Sequence, residues 1–115
     1  MSTIYVIDDE PLILEVVQLF LQSQGYTVHS FKSPIDLNSD RLMQDCDLLI
    51  CDVQLGLRKD GLEYCAQWVS QGLQAPILII SGFMQNPATF KQEWSVLKKP
   101  FNRRQLLTEV EHLLS

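Results

Sequence analysis

The apolar residues of this chain keep switching between two spacings, and that switching restricts the fold more than any other feature of the sequence. Short runs suited to strands alternate with stretches whose apolar residues recur every three or four positions. Thr3 to Ile7 (TIYVI) is a β-rich run closed by Asp8-Asp9-Glu10-Pro11. Pro11 stands where a helix begins, its fixed φ suiting a first turn. Leu12, Leu14, Val16, Val17, Leu19, Phe20 and Leu21 then continue at helical spacing to Gly25, a C-cap. Tyr26 to Phe31 alternates as a half-buried strand, and Ser33-Pro34 opens a short helix around Ile35 to Met43. Leu48 to Cys51 is a continuous apolar run ending at Asp52. Gly61 to Gln71 reads as a helix with Leu62, Cys65, Ala66 and Val69 on one face. Ile77 to Ile80 ends at Ser81-Gly82, Phe90 to Trp94 is a weaker helical piece, and Val96 to Lys98 is a last strand. Asn102 caps a final helix through Leu114.

Strand and helix alternate five times, which predicts an α/β protein: a five-stranded, mostly parallel sheet, doubly wound in three layers with helices on both faces. The central runs are apolar throughout, as strands covered on both sides must be. With 115 residues and no repeat, linker or low-complexity tract, residues 1–115 are expected to form a single domain. The net charge of -5 argues against a large nucleic-acid or anionic-membrane footprint. No signal peptide is visible, and the longest apolar stretches fall far short of the roughly 20 residues of a membrane span. Cys46, Cys51 and Cys65 contain no CxxC pair, and their odd number makes a poor disulfide framework. Reduced, partly buried thiols in a reducing cytoplasm are the expectation. His29 and His112 are too far apart in sequence to suggest zinc.

In doubly wound sheets, ligand chemistry sits beyond the carboxyl ends of the strands at a topological switch point. The residues at those ends are Asp8 and Asp9, Asp52, Ser81 and Lys99. Carboxylates gathered together repel, by about 4 kcal/mol for a pair ~4 Å apart at an effective dielectric near 20, so a divalent cation is expected among them. Oxygen ligands with no Cys or His nearby suit a hard ion such as Mg²⁺. Lys99 supplies a point charge for a phosphate oxygen and Ser81 a hydrogen-bond donor for another. Together these groups fit phosphoryl transfer, where catalysis is positioning plus charge neutralisation. Each residue alone has an ordinary explanation: a helix cap for Asp8 or Asp9, a strand end for Asp52, a turn for Ser81-Gly82, a solvated lysine for Lys99. Ordinary causes would have to place all five at one edge of one sheet.

The motifs Ile7-Asp8-Asp9-Glu10, Leu48-Leu49-Ile50-Cys51-Asp52, Asp60-Gly61-Leu62-Glu63, Ile79-Ile80-Ser81-Gly82 and Lys98-Lys99-Pro100-Phe101 occur in that order. In this the sequence resembles the receiver domain of bacterial two-component response regulators, over nearly its whole length. The resemblance implies a flavodoxin-like fold with strand order 2-1-3-4-5. It implies that Asp52 takes a phosphoryl group from a phosphohistidine on a sensor histidine kinase or histidine phosphotransfer protein, and then signals to a downstream protein target. It also implies that Asp9, Asp52 and the backbone carbonyl of Gln54 bind Mg²⁺ directly and Asp8 through water, that Lys99, which directly precedes Pro100, pairs with the phosphoryl group, and that Ser81 follows it inward. Three departures bear on signal output: Val96 stands where the family usually has Tyr or Phe, Ser81 to Lys99 is shorter than usual, and the loop from Asp52 to Gly61 lacks the usual Pro and is one residue longer than usual. Phe83 stands where water would approach, and its bulk is expected to slow loss of the phosphoryl group.

Other readings carry less. Gly56 to Gly61 matches half of a phosphate-binding loop, but Leu62-Glu63 follows in place of Lys-Ser/Thr. The basic run Lys98 to Arg104 suits an acidic partner surface better than nucleic acid in so acidic a chain. A hydrolase with an aspartyl-phosphate intermediate needs a second acid two residues beyond the nucleophile, where this chain has Gln54, so a phosphoacceptor switch is favoured over an enzyme. If the protein ends at Ser115, a receiver acting alone is expected; the alternative is the receiver portion of a longer response regulator.

Overall fold

The protein is described from a computed structural model, which covers residues 2–54, 61–82 and 94–115. Five strands, β1 (Thr3–Ile7), β2 (Thr27–Phe31), β3 (Leu48–Asp52), β4 (Ile77–Ser81) and β5 (Ser95–Lys98), form one all-parallel sheet in the order β2-β1-β3-β4-β5. Four helices are described: α1 (Pro11–Gln22), α2 (Ser39–Asp45), α3 (Gly61–Ser70) and α4 (Arg103–Leu114).

Alternation along the strands builds two cores. Ile4, Val6, Leu48, Ile50, Leu78 and Ile80 face Leu14, Val17 and Leu21 of α1 and Leu106, Leu107 and Val110 of α4. Tyr5, Ile7, Leu49, Cys51, Ile77 and Ile79 face the opposite way, against Leu42 of α2 and Cys65 and Trp68 of α3. A strand buried on both faces has no polar side to show, which is why β3 and β4 read as unbroken apolar runs. From β1 the chain goes first to β2 on one side and then crosses to β3 on the other. The crevice between the carboxyl ends of β1 and β3 is therefore the switch point.

Several local expectations need correction. The helix expected from Ile35 to Met43 is broken: a 3-10 turn, Pro34–Asp36, is capped by the Ser33 hydroxyl, Leu37 is extended, and α2 starts only after Asn38, whose side chain accepts from the amides of Asp40 and Arg41. Asn38 is a stronger N-cap than a helix interior residue, so it restarts the helix. On α1, Leu12, Val16 and Leu19 are exposed, at 76%, 40% and 58%, so only part of the helically spaced apolar set faces the sheet. On α3 the inner line runs through Gly61, Cys65 and Trp68, with Leu62, Ala66 and Val69 at its margins. Trp94 is a buried bend residue before β5, and the rest of the Phe90 to Trp94 helix falls outside the described residues, as do Phe83, Asp60 and most of the loops after Asp52 and Ser81. Asn102 caps α4 as expected and forms a full capping box with Gln105. The three cysteines are free thiols; burial pushes Cys46 up to about 12, and a hydrogen bond with Cys65 together with burial holds Cys51 well above its ordinary value. Thiols in that state are inert.

Candidate functional site

Among the described residues, the buried polar or charged side chains are Asp8, Asp52 and Ser81, and each stands at the carboxyl end of a strand. Their positions follow from the ladder. Asp8 continues β1, its amide donating to the Phe31 carbonyl at 3.1 Å. Asp52 is the last residue of β3, paired with Ile80 on β4, and Ser81 is one step further. The Lys99 amide donates to the Ser81 carbonyl at 2.7 Å, extending the β4–β5 ladder by one residue, and Lys99 then joins Pro100 through a cis peptide bond.

The Lys99 ammonium lies over the switch point. It donates to Asp52 Oδ2 and Glu10 Oε1, each at 2.9 Å, and is 3.3 Å from Asp8 Oδ2. Lys98 is exposed. Burial pulls the Lys99 ammonium down, but hydrogen bonds to Asp52 and Glu10 and the charges of Asp52 and Asp8 outweigh it, leaving the group firmly protonated. Asp8 goes the other way. Burial, reinforced by Asp52, outweighs the Glu10 amide and Lys99 and raises its carboxyl to about 7. Asp8 Oδ1 accepts from the Glu10 amide at 2.9 Å, so the carboxylate orders the β1–α1 turn while Glu10 itself occupies the N-cap of α1. Asp8 Oδ2 is buried and, apart from the ammonium's charge, has no hydrogen-bond partner among the described residues. Asp52 Oδ1 accepts from the Gln54 amide at 3.1 Å.

Carboxylate oxygens of Asp8, Asp9, Glu10 and Asp52 all lie within 4.8 Å of one another. A set of hard oxygens without sulfur or imidazole, one of them buried and short of a partner, fits a small divalent ion. Of the residues expected from sequence, Asp8, Asp52 and Lys99 are in direct contact and Asp9 joins their cluster. Gln54 meets Asp52 through its amide. The Ser81 hydroxyl is at the same edge but donates to the Gly82 carbonyl at 3.0 Å rather than toward Asp52. Glu10 was given no role from sequence; the signal available was a third acid beside the first two, at the start of a helix whose N-terminus faces the strand ends.

Gly61 closes the site from below. Its amide donates to the Val53 carbonyl at 2.7 Å. A Cβ at this position would overlap the Asp52 carbonyl oxygen and lie 2.9 Å from its carbonyl carbon and 3.1 Å from Cys51 Sγ. Rigid backbone cannot yield as a side chain can, so Gly61→Ala should destabilise the domain by about 1–3 kcal/mol. Urea unfolding checks this, and an unchanged midpoint would contradict the close approach.

A five-stranded doubly wound sheet with buried acids and a lysine at its switch point defines the flavodoxin-like class with a receiver-type crevice. Residues 4–111 match the response regulator receiver domain family, and the chain belongs to it. The response regulator TodT of Pseudomonas putida is 31% identical over 98% of this chain and 51% of its own length, so the chain spans about half of that relative. The chemotaxis protein CheY4 of Vibrio cholerae superposes with a TM-score of 0.84 at 26% identity, covering 99% of both chains. The NtrX receiver domain of Brucella abortus gives 0.84 at 26% identity, covering 96% of this chain and 97% of that one. This chain is thus the receiver domain of a response regulator, a signalling switch.

Proposed function

We propose that Asp52 is the phosphoacceptor of this receiver. The observation that carries the reading is the Lys99 ammonium 2.9 Å from a carboxylate that is almost wholly buried at the end of β3. In phosphoryl transfer the protein's task is positioning and charge neutralisation rather than covalent chemistry. An Asp52 oxygen forms the new bond to phosphorus, the bond from phosphorus to a donor's imidazole nitrogen breaks, and the imidazole leaves with that electron pair. Lys99, held protonated, pairs with a phosphoryl oxygen. The Gln54 amide fixes the Asp52 carboxylate. Ser81 is within one strand step and reaches the phosphoryl group only after its hydroxyl turns from the Gly82 carbonyl. Asp8, Asp9, Asp52 and the Gln54 carbonyl would hold Mg²⁺, which when bound offsets charge on the phosphoryl oxygens. Beryllofluoride, a phosphoryl mimic, should give a ¹⁹F signal with the wild type that needs Mg²⁺ and is missing from Asp52→Asn. A signal unchanged in Asp52→Asn would move the site elsewhere.

The donor is a phosphohistidine on a sensor kinase or phosphotransfer protein. Exposed Leu12, Val16 and Leu19 form one apolar stripe on α1, beside a cleft of ≈ 370 Å³ lined by Glu10, Ile13, Val16, Gly82, Lys99, Pro100 and Phe101. Such a stripe next to the site suits an apolar helix face. Leu19→Lys should slow phosphotransfer from a protein donor roughly tenfold while leaving the reaction with acetyl phosphate unchanged; equal slowing with both donors would place the stripe outside the docking face. We read residues 1–115 as one cytoplasmic receiver domain, acting by protein contacts either alone or at one end of a longer regulator. No helix among the described residues is long and apolar enough to cross a membrane.

A further inference from the structure

Lys99 has three carboxylates around its ammonium. An ammonium carries three donors. Two are committed at 2.9 Å to Asp52 and Glu10, and Asp8 Oδ2 lies 3.3 Å away, so an incoming phosphoryl oxygen competes with three carboxylates for the ammonium. The three carboxylates differ in what leaving costs them. The Asp8 and Asp52 side chains are 1% and 4% exposed, whereas that of Glu10 is 57% exposed. A carboxylate released into water recovers its hydration, and one released inside the protein does not. Glu10 is therefore the partner that yields. Among the described residues no other partner holds its side chain: Glu10 is the N-cap residue of α1 but makes no side-chain cap bond. It also lines the cleft that opens onto Lys99.

We propose that Glu10 is a positioning residue that parks the Lys99 ammonium beside Asp52 in the unmodified domain and gives it up to the incoming phosphoryl oxygen, so that its charge slows phosphorylation by anionic donors. The proposal rests on the reading of Asp52 as acceptor. The test compares the wild-type chain with Glu10→Gln by intact mass at saturating Mg²⁺. Two donors are used: acetyl phosphate, a dianion at neutral pH, and phosphoramidate, a monoanion. Because an exposed ion pair is weak, Glu10→Gln should react roughly fivefold faster with acetyl phosphate. The gain should be smaller with phosphoramidate and should shrink in high salt. Unchanged or slower reaction with acetyl phosphate, or an equal gain with both donors, would overturn the proposal. So would a large rise in the Mg²⁺ concentration the variant requires, which would make Glu10 a metal ligand instead. If the wild type acquires no phosphoryl group on Asp52, the acceptor reading fails and this one with it; a modified Asp52 without acceleration in Glu10→Gln removes only the role of Glu10.

Discussion

Lys99→Met should lower the unfolding free energy by about 3–5 kcal/mol at pH 8 in the absence of divalent ions. Methionine fills similar space without a charge, so the loss isolates the ammonium. Asp8 and Asp52 would then face each other in a buried crevice with no cation between them. The pH dependence separates this from a packing defect. Lys99 is held above its ordinary value, so its stabilisation is fully present at pH 8 and is lost only as pH climbs past the lysine range. Asp8 already titrates near about 7 with the ammonium beside it and would titrate higher without it. At pH 5 the variant can therefore quench the repulsion by binding a proton, and the loss should shrink markedly. Urea unfolding with a chelator at both pH values measures it. Equal losses at pH 5 and pH 8 would assign Lys99 a packing role.

Removing Asp8 should take away most of the protein's response to magnesium. The Asp8 carboxyl is raised from 3.8 to about 7 in the fold. A raised acid favours the folded state most below its unfolded value, and that benefit is lost as pH rises from about 4 through about 7. Above that range the metal-free protein carries a buried carboxylate with one oxygen short of a partner. Asp8→Asn keeps an acceptor for the Glu10 amide and removes the charge, so with a chelator at pH 8 it should be more stable than wild type by about 1–3 kcal/mol. Magnesium at a hundred times its dissociation constant should stabilise the wild type by about 2.7 kcal/mol and the variant far less. Melting curves of both proteins with and without Mg²⁺ decide the matter. A wild type indifferent to Mg²⁺ would count against the cation site.

Much of the architecture was legible because the two apolar periods are strong where burial is complete. β3 and β4 are covered on both faces, so their ends at Asp52 and Ser81 could be read directly. The switch-point rule then collected Asp8, Asp52 and Lys99 without coordinates. Strand order came from the family resemblance, since periodicity says nothing about which strands are neighbours. Helical spacing alone could not tell which apolar residues of α1 face the sheet: twelve residues carry more apolar side chains than one face can bury, so Leu12, Val16 and Leu19 are left outside. The break at Leu37–Asn38 was hidden because an N-cap residue and a helix interior residue look alike until the backbone is seen. Glu10 was missed because its partner, Lys99, is 89 residues away and only the fold joins them.

The most direct measurement is the intact mass of the protein after incubation with acetyl phosphate and Mg²⁺, with the modified residue mapped by peptide fragmentation. One added phosphoryl group is expected, located on Asp52 and absent from Asp52→Asn. Phosphorylation that persists in Asp52→Asn, or that maps to another residue of the wild type, would contradict it.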